Sequence, residues 1–179
     1  LHETLGLKGV EGWNSENNKG VVGILVVEGE HKIVVATEDA PENLTWSEKR
    51  GLINQPVEVG ELEDAESDFN GEYYCQKLDS PDFPAAYYCL TYNRGGRKWY
   101  MPSAAELYLI YNHLEEVQRA LRSVGGYEII ADKNETVNTI YWTTSERNEW
   151  NTWGLDMSDG RFFPCNKVEK YKHVLPITK

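Results

Sequence analysis

Apolar positions along the chain change spacing twice, and each change marks a change of element. Val21-Val22-Gly23-Ile24-Leu25-Val26-Val27 and Lys32-Ile33-Val34-Val35-Ala36-Thr37 are β-branched runs parted by Glu28-Gly29-Glu30-His31, which predicts a β-hairpin. Leu44-Thr45-Trp46-Ser47 adds a short extended piece. Asp82-Phe83-Pro84 supplies a helix start and Gly95-Gly96 a stop, so a helix is expected over Ala85–Asn93. The Ser-x-x-Glu capping box at Ser103–Glu106 opens a second helix. Leu107, Ile110, Tyr111, Leu114, Val117 and Leu121 recur along it at helical spacing, and Gly125-Gly126 ends it. Short β runs follow at 139–144, 152–157, 161–165 and 171–177, with Ser158-Asp159-Gly160 as a turn. Trp153, Leu155 and Met157 alternate with Thr152, Gly154 and Asp156, the pattern of a sheet with one buried face. Strands, then helices, then strands predict an α+β domain.

Two segments lack periodicity. Residues 1–18 are polar and Gly/Asn-rich, a lead-in ordered only if Trp13 finds a pocket, so the single domain is expected over 19–179. Residues 54–72 crowd Glu58, Glu61, Glu63, Asp64, Glu66 and Asp68 and read as a solvated acidic loop. Asp64-x-Glu66-x-Asp68-x-Asn70 superficially imitates a calcium loop. The EF-hand pattern requires Gly at its sixth position and Glu at its twelfth, where this chain has Phe69 and Cys75. No metal site is expected.

Composition then narrows the function classes. The 179 residues suit one domain with a sizeable core. A formal charge of −11 repels phosphate backbones and anionic membranes, so nucleic acid is disfavoured as a partner. No apolar run reaches the roughly 20 residues needed to span a bilayer. Any signal peptide or lipid anchor is expected upstream of Leu1. The cysteines Cys75, Cys89 and Cys165 fit no metal spacing; they read as buried thiols, with a Cys75–Cys89 bridge left open. His2, His31, His113 and His173 join no nucleophile or phosphate-loop signature, so no catalytic constellation and no cofactor are expected.

Several motifs, in order, resemble those of a bacterial surface family. Gly96-Arg97-Lys98-Trp99-Tyr100-Met101-Pro102-Ser103-Ala104-Ala105-Glu106-Leu107 is similar to its "G-x-x-W-x-L-P-[ST]-x-x-E-L". Tyr141–Glu146 resembles "YWSSTE", Thr152–Gly160 resembles "AW-x-x-x-F-x-x-G", and Pro84–Cys89 resembles "PAA-x-x-C". The hairpin runs and Leu44–Ser47 match upstream segments, so the likeness spans about residues 19–177. The family comprises the C-terminal domains of a collagen-like adhesin, with relatives on pilins and lipoproteins. The resemblance implies a C-type-lectin-like fold: an N-terminal β-hairpin, two helices and a twisted antiparallel C-terminal sheet. It implies an extracellular or surface location and a protein or glycan partner.

The departures limit what carries over. Met101 replaces a Leu, and the acidic stretch at 58–68 has no family counterpart. The calcium-binding triplets of sugar-binding lectins are absent, as are the paired cysteines of the formylglycine-generating enzymes that share the fold. The expected function is non-catalytic recognition or adhesion. A structural tip or spacer of a pilus is the alternative, and an enzyme of the formylglycine-generating type is a third. In the resembling modules the C-terminal sheet faces the ligand. Arg147, Asn148, Trp150, Asp156, Arg161, Phe163 and Asn166 lie on its connections or out of phase with its core, and are expected to form a shallow recognition patch.

Overall fold

The computed structural model describes residue 1 and residues 19–51, 61–132 and 138–179. The lead-in beyond Leu1 and the acidic stretch up to Gly60 thus lie outside the described residues. In chain order the elements are β1 (Gly23–Glu28), β2 (His31–Ala36), α1 (Leu62–Ala65), α2 (Gly71–Gln76) and α3 (Pro84–Thr91). There follow α4 (Ala104–Asn112), α5 (Leu114–Val124), β3 (Ile140–Glu146), β4 (Asn151–Asp156), β5 (Phe162–Asn166) and β6 (Ile177–Thr178). The α+β class holds.

The hairpin forms as its pattern predicts. β1 and β2 pair from Gly23↔Ala36 to Glu28↔His31 around Gly29-Glu30, and Gly29 adopts the positive φ of 58° that a two-residue turn requires. β6 joins the free edge of β2, so the chain end completes a three-stranded sheet. Ile24, Val26, Ile33 and Val35 enter the main core, while Val22, Val34 and Trp99 build a smaller cluster on the opposite face.

The helical region departs from expectation in three places. Part of the acidic stretch is ordered: α1 buries Ala65 while Glu63 and Asp64 stay exposed, and α2 buries Tyr74 and Cys75. Asp68 is not solvated; it is buried and accepts the Ser145 hydroxyl at 2.6 Å. Most of the acidic side chains face outward while Asp68 turns in, a distinction that composition hides. The first predicted helix ends at Thr91, where Tyr92 turns extended, rather than at Gly95-Gly96. Asp82 does not cap it but faces Lys49 at 3.4 Å. The second predicted helix is two. His113, at φ −111° and ψ 21°, breaks it into α4, buried almost all round, and α5, which buries one stripe of Val117, Ala120, Leu121 and Val124. A straight helix cannot serve both environments, and the break lets each segment follow its own neighbours.

Start and stop signals hold at the outer ends. Glu106 reaches back to accept the Ser103 amide at 2.9 Å, and Gly125 closes α5 at φ 69°. Glu106 is fully buried, and it also accepts the Tyr100 hydroxyl at 3.1 Å and faces Lys179 at 3.0 Å. Burial raises its pKa against those partners.

The second sheet has the order β3-β4-β5, antiparallel throughout. The expectation of one buried face is corrected here, because β4 is the central strand and is buried on both sides. Leu155 shares a face with its register partner Phe162, which packs on Tyr108 of α4. On the other face lies Trp142, whose indole donates to the Leu44 carbonyl at 2.7 Å and so draws the 44–47 segment over the sheet. The last predicted strand is mostly not a ladder; 171–176 contributes single bridges, Leu44↔Lys172 and Tyr141↔His173.

A β-bulge interrupts β3 between Trp142 and Glu146. Gly154 sits where β3 and β5 crowd β4: a Cβ there meets Cys165 Sγ at 2.7 Å and Ile140 Cγ2 at 2.8 Å. Gly154→Ala is therefore expected to lower stability by about 1–3 kcal/mol, the usual cost of overpacking. Urea unfolding with an unchanged m-value is the measurement.

Candidate functional site

The residues expected to form one patch are placed at two ends of the second sheet. At the β3–β4 connection, Asn148 Oδ1 accepts the amides of Trp150 at 2.9 Å and Asn151 at 2.8 Å, so this side chain shapes the turn. Trp150 is 47% exposed, with Arg50 stacked 4.5 Å from its ring centre and its indole N–H donated to Glu149 at 2.6 Å. Arg147 lies over Trp153 at 5.4 Å. Asn166 pairs with Asn151 and so belongs to this end; its Oδ1 accepts the Val168 amide at 3.3 Å.

Arg161 and Phe163 lie toward the other end of β4, beside the β4–β5 turn. The six-residue strand separates the two ends by roughly 17 Å. Arg161 grips Asp159 through Nε at 2.9 Å and Nη2 at 2.7 Å and leans over Phe163 at 5.4 Å. Phe163 is half-buried against the main core. Asp156 faces no solvent: it is 1% exposed, and its Oδ1 accepts the Thr139 hydroxyl at 2.6 Å and the Ser158 amide at 2.9 Å. The one-patch expectation is thus corrected. Asp156 is a turn anchor, while Arg147, Asn148, Trp150 and Asn166 share the β3–β4 end of the sheet with Arg50.

A concave site lies elsewhere. A cavity of about 480 Å³ opens between the 38–43 loop after β2, Tyr88 of α3, Tyr127 and Ile130 after α5, and His173. Its floor is braced by hydrogen bonds. The Tyr88 hydroxyl donates to the Asp39 carbonyl at 2.9 Å, and the Ile130 amide donates to the Tyr141 hydroxyl at 2.9 Å. That hydroxyl in turn meets the Asp39 carboxylate. His173 Nε2 donates to the Asn138 carbonyl at 2.7 Å, and its ring lies 5.1 Å from that of Tyr141. Burial raises the Asp39 pKa, opposed by His173 and by the Tyr141 hydrogen bond. Tyr127 stands on the rim with 70% of its surface exposed.

Sequence reasoning missed this site. Its residues come from four distant stretches with no motif in common, and His173 reads as an ordinary strand residue. The one local sign is an Asp immediately beyond a predicted strand, which is too common to select. A wider cleft of about 730 Å³ runs between α5 and residues 128–132, lined by the ion pair Arg122–Glu128 and by Gln118, which bonds both polar groups of Ile129.

The fold is shared with part of a bacterial fimbrial protein. A solved structure of a fimbrial protein from Bacteroides ovatus ATCC 8483 superposes with a TM-score of 0.54 at 17% identity, over 83% of this chain. The chain matches only 36% of that protein's length. No family model and no curated protein matches the sequence. At this identity the likeness concerns the fold alone.

Nucleophilic chemistry finds no support among the thiols. All three cysteines are free and buried, Cys75 pushed up to about 12 and Cys165 to about 11 by desolvation. The open Cys75–Cys89 pairing resolves as two thiols. A disulfide-exchange reagent at pH 8 is expected to label none of them in the folded protein and all three in guanidinium, counted by absorbance. Asp156→Ala is expected to cost about 1–3 kcal/mol through its orphaned partners, and Trp150→Ala under about 1 kcal/mol, in parallel urea titrations.

Proposed function

We propose that the chain is a non-catalytic module of a fimbrial or pilus-type assembly displayed on a bacterial surface. The observation that carries this reading is the shared fold with a fimbrial protein of which the module makes up only about a third. A domain that forms one part of a longer fibre subunit needs a stable, self-contained core, and the hydrophobic cluster that joins both sheets to the helices supplies it. The finer likeness, to collagen-like-adhesin C-terminal domains with a C-type-lectin-like fold, rests on the ordered motifs between Lys19 and Ile177.

Recognition of a protein or glycan is the second reading, and the β3–β4 tip favours it. Trp150 holds a large ring in solvent with Arg50 against it, an amphipathic pair of the kind enriched in binding surfaces. Immunogold labelling of producing cells with antibody to this domain, alongside blotting of the sheared-surface fraction, separates these possibilities from an internal role. Label along extracellular fibres is the expected result. Confinement of the domain to the cytoplasm would overturn the proposal.

A further inference from the structure

The 480 Å³ cavity beside Asp39 carries an inference of its own, independent of where the protein acts. Its volume falls within the range of small-ligand sites. Three carboxylate residues line it, Glu38, Asp39 and Glu42, so an anionic ligand meets repulsion. Two of these charges are already matched. Arg94 lies 3.4 Å from Glu38 and Lys170 lies 3.6 Å from Glu42, both pairs at the surface. Asp39 is the exception: among the described residues no lysine or arginine forms an ion pair with it, and its carboxylate receives the Tyr141 hydroxyl with the His173 imidazole nearby. The wall thus retains one carboxyl group, partly withdrawn from water, with the His173 imidazole beside it and no lysine or arginine opposite among the described residues.

The remaining surface has a matching character. Ala40, Pro41 and Ile130 offer an apolar strip, and Tyr88 and Tyr127 offer ring surface. Tyr127 is held at the mouth by its backbone, whose amide donates to the Thr37 carbonyl at 2.9 Å, while its ring is left largely bare. Electron-rich rings beside a carboxylate favour an ammonium group, and an apolar strip leading to them suits an aliphatic stem. Neutral polyols fit less well. The hydroxyls of Tyr88 and Tyr141 are spent on Asp39 and Ile130, which leaves the Asn43 amide and the Tyr127 hydroxyl as neutral groups for sugar hydroxyls, and neither offsets a carboxylate.

We propose that this cavity binds an alkylammonium group, the end of a lysine side chain or of a small free amine. The ammonium sits against the Asp39 carboxylate under the Tyr127 ring, and the stem lies along Ala40, Pro41 and Ile130. The acidic balance of the whole chain, −11, draws such a ligand toward the surface.

The test is a titration of the whole chain, followed by amide chemical shifts, with four probes. These are Nα-acetyl-lysine methylamide, its Nε-acetylated neutral form, cadaverine, and methyl galactoside. Saturable shifts at Asp39, Tyr127 and His173 with the lysine probe or cadaverine are expected, and acetylation of the ε-amine abolishes them. The stronger of the two amine probes tells whether a protein lysine or a free amine is the natural source. Asp39→Asn keeps the shape and is expected to weaken binding about tenfold or more, as loss of a charge partner does. Tyr127→Ala, at an exposed position where folding is not at stake, is expected to weaken it about fivefold. Equal binding of the acetylated probe, binding of the galactoside alone, or unchanged affinity in both variants would overturn the proposal. Fibre localisation is read by a separate experiment, so either result stands without the other.

Discussion

Everything in the second half of this fold is pinned by the bulge at Thr143–Ser145. A bulge removes backbone groups from the ladder, and in a buried strand each must find a partner outside the ladder. Three segments supply them here. The Trp46 indole donates to the Thr143 carbonyl at 2.8 Å, and the Thr144 amide donates to the Pro102 carbonyl at 2.8 Å. The Ala104 amide, at the start of α4, donates to the Ser145 hydroxyl at 2.9 Å, which in turn donates a hydrogen bond to Asp68. Thr152 Oγ1 from β4 reaches the Ser145 carbonyl at 2.7 Å. The position of α4, the approach to α2 and the path of the 44–47 segment are all consequences of how one interrupted strand satisfies itself.

Just past the bulge, a buried ion pair continues the same logic. Lys167 is fully buried, with Nζ 2.5 Å from Glu146 Oε1 and 2.8 Å from the Gly51 carbonyl, beneath the Trp46 ring. Burial lowers the pKa of its ammonium while the Glu146 carboxylate raises it, and burial prevails. Such a pair adds little net stability over an apolar substitute, but it leaves few alternative arrangements for the groups it holds. Its backbone also takes part: the Lys167 carbonyl accepts Trp46 and Ser47, and its amide bonds the Trp150 carbonyl. The exposed Trp150–Arg50 surface is therefore mounted on a hydrogen-bonded base.

What was legible in the sequence follows from how local each signal is. The β1–β2 hairpin, the Glu106 capping contact and the Gly125 stop are decided within a few residues, and all are present. The break at His113 is decided by tertiary surroundings, since the apolar spacing runs through it without a fault. The burial of Asp68 and Asp156 is likewise non-local: each is fixed by a hydroxyl far away in sequence, Ser145 or Thr139. An aspartate beside a turn looks the same in sequence whether it caps that turn inwardly or faces a ligand. The alternation in β4 predicted one solvated face because strand order, not strand composition, determines which strand is central.

The same reasoning explains why the concave site was hidden while a patch divided between two ends of the sheet was visible. Polar residues on connections after strands are easily read as a surface, yet Asn148, Asn166 and Asp156 spend their acceptors on nearby amides. Turn-forming chemistry and ligand-binding chemistry use the same residue types, so only hydrogen-bond accounting separates them. Around Asp39 the accounting comes out the other way. Tyr88, Tyr141 and His173 each commit a polar group to the scaffold, and among the described residues no lysine or arginine pairs with Asp39. A surplus charge at the end of an apolar strip is costly to the folded protein by itself. Burial accordingly raises the Asp39 pKa, and the cavity beside it leaves that carboxyl open to a group of opposite charge.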